Sequence, residues 1–460
     1  MTKKIILITT LAEYQTAFWI EVAREILKNG IQVRFVSFDD RSTDLLLKNN
    51  FKVYYLKHNN FVNDYSDKTL EDVLKDLNIS NFSYWSSHER VTFDINDDQL
   101  KIKFIECKML IDQAFSDLQK KYSDQIILVQ ELGGFISVVV SYFAARKRGI
   151  TNWFIEPSFF RGKLFFLKNS FSAAKIKTSS HLKASKEVLM YLNLAHQNKS
   201  IVIPKKDKHQ YTNPISKLLN KKNFSRFLTK IINKYIFGKK YQFSYIGHHV
   251  YTHLRMFLNS VRLRNKYTRD HKLNNIIYYP LHVPYDMALT IRSPEYLDQL
   301  SLIEFILRNL PDKYRLAVKE HPAMIGAVDA KKLIALKRRY KNLIIFHPEI
   351  NNYDILEAAD LIISINSKAG AEALILKKPV LVLGDAFYKN SPFVCSVDSL
   401  LELKKKINNM SKLKKINRNF EEIANYFERV WRISYSGELY INDSENIKIF
   451  TKSLMKKVLK

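Results

Sequence analysis

The run YDILEAADLIISINSKAGAEALILKKPVLVLGDAFY, residues 353–388, decides the fold. It holds two short apolar blocks, LIISI at 361–365 and PVLVLG at 379–384, each the length of a buried strand. Residues 368–376 between them read as a helix, and 353–359 read as a shorter helix before the first block. A strand that returns through a helix runs parallel to its predecessor, because the crossover brings the chain back to the same end of the sheet. Parallel strands are buried on both faces, so neither block alternates apolar and polar residues.

The same rhythm extends upstream. IIYYPL (276–281) reads as a strand, 295–309 as a helix, and RLAVKEHP (315–322) as a strand running into a turn. A helix over 329–340 and a strand at NLIIF (342–346) follow. The beginning of the chain repeats the pattern. IILITT (5–10) is a strand, and Phe18, Val22, Ile26 and Leu27 share one face of a helix over 14–29 that Gly30 stops. A strand at 32–37 comes next. Residues 60–120 read as mostly helical and polar. Strands return at 126–129 and 152–156, with a helix over 135–148 between them. The expectation is an α/β protein of two Rossmann-like, doubly wound domains facing a cleft, the GT-B arrangement. The first domain spans 1–200 and the second 275–410. A connecting segment spans 201–274, and C-terminal helices over 411–460 pack back on the first domain. No G-x-G-x-x-G fingerprint is present.

Length and composition agree. The chain has 460 residues, enough for two domains, with 46% hydrophobic and 26% charged residues. Its two cysteines, Cys107 and Cys395, have no metal-ligand spacing and read as reduced core thiols. The longest smooth apolar run, Phe135–Ala145, is too short to span a bilayer, and the first residues lack a signal-peptide pattern. A cytoplasmic protein is expected. The net charge of +29 calls for an anionic partner, although lysine-rich AT-biased coding also raises it. The charge concentrates in 203–273, where seventeen Lys/Arg face two acids, Asp207 and Asp270. At 217–237 the spacing fits a basic amphipathic helix lying on an anionic membrane surface, or a solvated spacer between domains. No nucleic-acid recognition motif accompanies it.

Polar residues gather where strands end, which is where open α/β sheets bind ligands. Lys319, His321 and Pro322 follow one strand; the first two offer donors to a phosphate and Pro322 fixes the turn. Ser364, Asn366 and Ser367 close another strand. Ser367 can cap the helix that follows, whose amides suit an anion, and Glu372 can accept from ribose hydroxyls. His282, Gly384 and Tyr388 are expected to line the cleft. In the first domain Glu131 and Glu156 each put a carboxylate at a strand end, as base or nucleophile. Each of these features also has a plain structural reading, as a strand end, a helix cap or an exposed loop acid.

In order and spacing, YYPLHVPYD (278–286), RSPEYLDQLSLIEFI (292–306), LPDKYRLAVKEHPAMIG (310–326) and the run at 353–388 resemble the capsule polysaccharide synthesis family. That family includes the Kdo (keto-deoxy-octulosonate) transferases of lipid-linked capsules. FIEPSFFRGKLFF (154–166) resembles its Glu-containing segment. The resemblance implies a GT-B transferase using a nucleotide sugar, a CMP-activated acidic sugar such as Kdo. Lys319, His321, Pro322, Ser364, Asn366, Ser367 and Glu372 would hold the nucleotide, and His321 and Glu156 or Glu131 would serve catalysis. The acceptor would be a glycolipid or growing polysaccharide at the inner face of the cytoplasmic membrane. No cofactor is implied and no metal, since basic residues and helix N-termini neutralise the leaving phosphate. The second half also resembles CDP-glycerol phosphotransferases and UDP-sugar 2-epimerases. A non-catalytic component of capsule export stays open as well.

Overall fold

The computed structural model describes residues 4–56, 69–122, 125–177, 182–199, 245–270, 272–409 and 418–459, with isolated positions at 229, 232, 236, 412, 413 and 416. The amphipathic helix expected at 217–237 lies outside the described residues apart from those isolated positions.

The first sheet contains β1 (Ile5–Thr10), β2 (Gln32–Ser37), β3 (Val53–Tyr54), β4 (Ile126–Glu131) and β5 (Thr151–Pro157), all parallel, in the order β5-β4-β1-β2-β3. β6 (Lys163–Lys168) adds antiparallel to β5, and β13 (Tyr435–Ser436) adds antiparallel to β6. The second sheet contains β7 (Ile276–Pro280), β8 (Arg315–Lys319), β9 (Leu343–Phe346), β10 (Leu361–Ser364), β11 (Val380–Val382) and β12 (Cys395–Ser396). Its order is β12-β11-β10-β7-β8-β9, parallel throughout. Each sheet therefore grows outward in one direction, then restarts beside its first strand and grows the other way. The reversals fall between β1 and β4 and between β7 and β10, and a doubly wound sheet opens its ligand crevice at that point.

The strands form because their sequences are apolar without interruption. Every residue of β1 and β7 is buried, as expected of strands covered by helices on both faces. Helix Glu13–Lys28 covers β1 with Phe18, Trp19, Val22, Ala23 and Ile26, and Gly30 at φ +76 releases the chain into β2. The stretch read only as polar and helical resolves into helices Leu70–Leu77, Phe82–Phe93 and Asp97–Tyr122. The last of these buries Phe104, Leu110, Ile111, Phe115 and Leu118 along one stripe, and its many surface residues hide that stripe in the composition.

Two features differ from the expectation. β4 runs through Gln130 and Glu131, so these residues end the strand instead of following it. Residues after β5 fold back as a hairpin into β6 through Gly162 at φ +74, with Glu156 opposite Phe165. The end of the chain returns to the first domain. Helix Ser444–Val458 lies on Glu13–Lys28, where Phe450 meets Phe18 and Trp19 edge-on at 4.9 and 5.6 Å. Helix Phe420–Arg432 docks on Lys186–Gln197, with the Ser185 amide and hydroxyl donating to Glu428 at 3.0 and 2.7 Å. Cys107 is buried and Cys395 partly exposed; both are free thiols. Among the described residues no helix is long and apolar enough to cross a membrane.

Candidate functional site

The second sheet reverses between β7 and β10, and the loops leaving those strands carry His282 and Asn366-Ser367. Gln299 fixes His282 from behind: its Oε1 accepts the His282 amide at 2.8 Å and its Nε2 donates to the His282 carbonyl at 3.2 Å. The Asn366 amide approaches His282 Nε2 at 3.5 Å, so the two loops meet. The next strand, β8, delivers Lys319 and His321. His321 Nδ1 accepts the Ala323 amide at 3.3 Å and opens the one-turn helix Pro322–Met324. That bond assigns the ring proton to Nε2, which makes the imidazole a donor on its other side.

The electrostatics suit an anion. Burial, with a smaller push from Lys319, holds His321 down to about 4. Burial likewise holds His282 down to about 4, with Asp286 pulling upward and His321 pushing down. Both rings are therefore neutral hydrogen-bonding groups at neutral pH. Lys319 is buried beside them, donates weakly to the Pro348 carbonyl at 3.5 Å, and is pushed down to about 8 by burial against the pull of Glu372. Its charge acts from beneath the groove, through a medium that screens it poorly.

Ser367 caps helix Lys368–Ile375 by accepting the Ala369 amide at 3.2 Å. The Gly370 amide donates to the Ser367 carbonyl at 3.1 Å, so the first turn is closed on itself and contributes its positive dipole end at the strand tips. Asn366 donates to the Ala288 carbonyl at 2.6 Å and to Ser293 Oγ at 3.1 Å, while its Oδ1 finds no donor among the described residues.

Several sequence candidates sit differently from their expected places. Tyr388 does not line the cleft: it is fully buried. Its hydroxyl donates to the Ser367 carbonyl at 2.5 Å and accepts from Ser364 Oγ at 3.0 Å. Gly370 makes room for it, since a Cβ there would lie 2.2 Å from the Tyr388 oxygen. Ser364 is likewise fully buried, and its hydroxyl accepts the Ser367 amide at 3.2 Å. These two residues shape the loop from behind. Glu372 points into the domain at 2% exposure, accepting from Asn352 at 2.8 Å, with burial raising its pKa. It faces Asn352 at the start of helix Asn352–Ala358, near enough to Lys319 to pull on its proton. Gly384 also packs inward, and a Cβ there would lie 2.2 Å from Ser293 Oγ. Pro322 starts the turn that holds His321.

In the first domain Glu131 ends β4 next to the tip of β1, at that sheet's own reversal. It accepts from Gln15 Nε2 at 3.0 Å and from the Tyr440 hydroxyl. Burial and this carboxylate together hold Tyr440 well above its ordinary pKa. Glu156 is engaged elsewhere: Arg292 of the second domain grips it in a two-pronged pair at 3.1 and 3.0 Å. Arg292 also donates to the Phe171 carbonyl at 2.6 Å. Lys368 donates to the Ser158 carbonyl at 2.9 Å, Asp385 accepts the Ala173 amide at 2.8 Å, and Ser87 donates to the Thr290 carbonyl at 2.7 Å. These contacts fix the two domains face to face. Arg292 carries no mark of this role in the sequence. It opens the RSPEYLDQLSLIEFI run, but an arginine followed by a serine carries no signal without its distant partner.

The lysine gives a pH dependence. An unfolded lysine keeps its proton to about 10.4, whereas Lys319 in the folded chain releases it from about 8. Between these values the native state binds fewer protons, so raising the pH favours the fold. Anion binding has the opposite sign, because an anion stabilises the protonated form. Affinity for a nucleoside phosphate should be flat near neutrality and weaken above pH 8 by up to about tenfold per pH unit, the limit for one linked proton. Calorimetric titration across pH 7 to 9.5 checks this.

Comparison with known proteins places the chain. The Sinorhizobium fredii protein FixF is 28% identical over 127 residues, covering 27% of this chain and 30% of FixF, so the match spans under a third of that relative's length. Among solved structures, the KpsC beta Kdo 2,7 transferase of Thermosulfurimonas dismutans aligns over 78% of this chain and 96% of its own, at 16% identity and a TM-score of 0.36. The UDP-GlcNAc 2-epimerase of Neisseria meningitidis aligns over 99% and 100%, at 12% identity and a TM-score of 0.28. Scores this low add nothing to the fold already read from the strand orders. The family model described as "Capsule polysaccharide biosynthesis protein" matches residues 137–395. That match takes in β5, the Arg292 clamp and every candidate in the second domain, more than half of the sequence, and the chain belongs to the capsule polysaccharide biosynthesis family.

Proposed function

We propose that the protein is a glycosyltransferase that moves a sugar from a nucleotide donor onto a lipid-linked or growing capsular polysaccharide. The observation that carries this reading is the contact of the His282 and Asn366-Ser367 loops at the reversal of the second sheet, with His321 just past the end of the neighbouring strand β8. Two neutral imidazoles, a capped helix start and a buried ammonium give a phosphate donors and positive potential. Such a preorganised set stabilises charge developing on a leaving nucleotide. No metal need enter this account. The donor we favour is a CMP-activated acidic sugar such as Kdo, in keeping with the family resemblance of residues 278–388.

On the acceptor side we assign the general base to Glu131. It ends a strand at the first sheet's reversal and is held by neutral groups, whereas Glu156 is tied to a guanidinium. The acceptor is a glycolipid or polysaccharide at the inner face of the cytoplasmic membrane. The test is to incubate the protein with CMP- and UDP-sugars, with and without lipid-linked acceptor, and to identify products by mass spectrometry. Acceptor-dependent release of the nucleotide with extension of the glycan supports the reading. Epimerised donor without acceptor, or CMP released only from CDP-glycerol, would replace it with one of the other reactions of this fold. Salt-sensitive polymer binding with no turnover would make the chain a non-catalytic export component.

A further inference from the structure

Helix Ile246–Leu263, which precedes β7 in the chain, has two very different faces. Its inner face is fastened to the loop that carries His321. Met256, Asn259 and Leu263 are buried, and Asn259 Nδ2 donates to the Gly326 and Val328 carbonyls at 3.0 and 3.1 Å. Gly326, at φ +81, comes so close that a Cβ would lie 2.0 Å from the Met256 carbonyl oxygen. The Gly326 amide in turn donates to buried Glu320 at 3.0 Å, one residue from His321. Just before the helix, the Tyr245 ring meets Phe93 of the first domain at 4.6 Å.

The outer face is apolar and uncovered by the described residues. Val250, Tyr251, Leu254, Leu258 and Val261 are each more than two-fifths exposed. At 3.6 residues per turn they fall within about 100° of the helix circumference. Arg255 and Arg262 edge this stripe, and Arg264, Lys266 and Arg269 continue beyond it. No Asp or Glu occurs in 245–269 itself; Arg255 pairs with Asp329 at a long 3.9 Å and Arg269 with Glu349 at 3.2 Å. Ile232 and Ile236, one helical turn apart, are exposed as well. A contiguous apolar patch of this kind marks an interaction site. A helix with an apolar face and basic residues along its margin, with no acid in its own sequence, fits an anionic lipid interface.

We propose that the outer face of helix Ile246–Leu263 docks on an anionic lipid bilayer. Val250, Leu254, Leu258 and Val261 enter the acyl boundary, the arginines meet headgroups, and the cleft opens at the membrane surface. Charge selects lipid over the other occupants. Residues 200–244 of this chain carry eleven Lys/Arg and one acid, Asp207, so they repel the arginine margin, and a second copy brings the same basic face. The inference deepens the membrane part of the proposed function and rests on it for its purpose, but it is read without turnover.

The experiment is co-sedimentation of the full chain with phosphatidylglycerol or phosphatidylcholine vesicles at low and high salt. The wild type should pellet with the anionic vesicles only and be released by salt. Leu254→Glu/Leu258→Glu should cut the bound fraction about tenfold or more, with Tm and nucleotide affinity unchanged. Met190→Glu, at an exposed apolar position elsewhere, should bind as wild type. Wild-type vesicle binding by the double variant overturns the proposal. So does a fall in its Tm, which would mean that residues 200–244 cover the stripe, or a loss of oligomer, which would mean that a second copy does. A wild type that ignores vesicles yet extends a soluble acceptor refutes docking and leaves the transferase reading intact. Vesicle binding without turnover on any donor does the reverse.

Discussion

His321→Ala should lower kcat about 100- to 1,000-fold, the range for losing one preorganised donor to developing charge, while Tm stays near that of the wild type. The ring is tied to its own loop by the Ala323 amide at 3.3 Å, an interaction whose loss costs little because the loop is also closed by Glu320 and Gly326. The effect should fall mainly on kcat, since the leaving phosphate gains charge only in the transition state. His321→Gln keeps a donor at similar reach and should recover part of the rate. Steady-state kinetics with a fixed acceptor measures both variants. Full activity in His321→Ala would remove this residue from the site.

The second large effect concerns the clamp between the domains. Arg292→Met should cost about 3 kcal/mol of stability, the lower end for breaking a buried ion pair, because Glu156 keeps 18% side-chain exposure. Denaturant unfolding measures it. Glu156→Gln should cost less on its own, since a neutral amide still accepts from the guanidinium. The double variant should be little worse than Arg292→Met, which is the signature of coupled partners. The same set separates two roles for Glu156. If it only positions the domains, Glu156→Gln keeps measurable turnover and resembles a mild Arg292 variant. If it is a nucleophile, Glu156→Gln abolishes turnover while leaving the fold stable.

Much of this architecture could be read before any coordinates. Strands such as Ile5–Thr10 and Leu361–Ser364 are continuous apolar runs because they are buried on both faces, and parallel pairing follows from the helices between them. That His282, His321, Asn366 and Ser367 stand just past strand ends was legible for the same reason, since polar residues following such strands fall at the sheet's carboxyl edge. What the sequence hides is direction. Glu372 and Lys368 share one helix, yet one is buried against Asn352 and the other reaches the first domain, a difference set by which helix face is covered. Tyr388 reads as a loop residue and becomes a buried prop only because Gly370 leaves it space. The Glu156–Arg292 pair spans 136 positions, so neither residue signals the other. The amphipathic helix read at 217–237 falls outside the described residues apart from isolated positions, and helix Ile246–Leu263 carried no mark of its own; its inward face is fixed by the close approach of Gly326.

A nucleoside phosphate should be held where β7, β8 and β10 end. A crystal structure of the chain with CMP tests it most directly. The phosphate oxygens should lie within about 3 Å of His321 Nε2, in hydrogen-bond reach, and beside the N-terminal end of helix Lys368–Ile375, with the open side of the phosphate facing Glu131. CMP bound away from these strand ends, or a groove from which His321 and Ser367 both turn away, would contradict it.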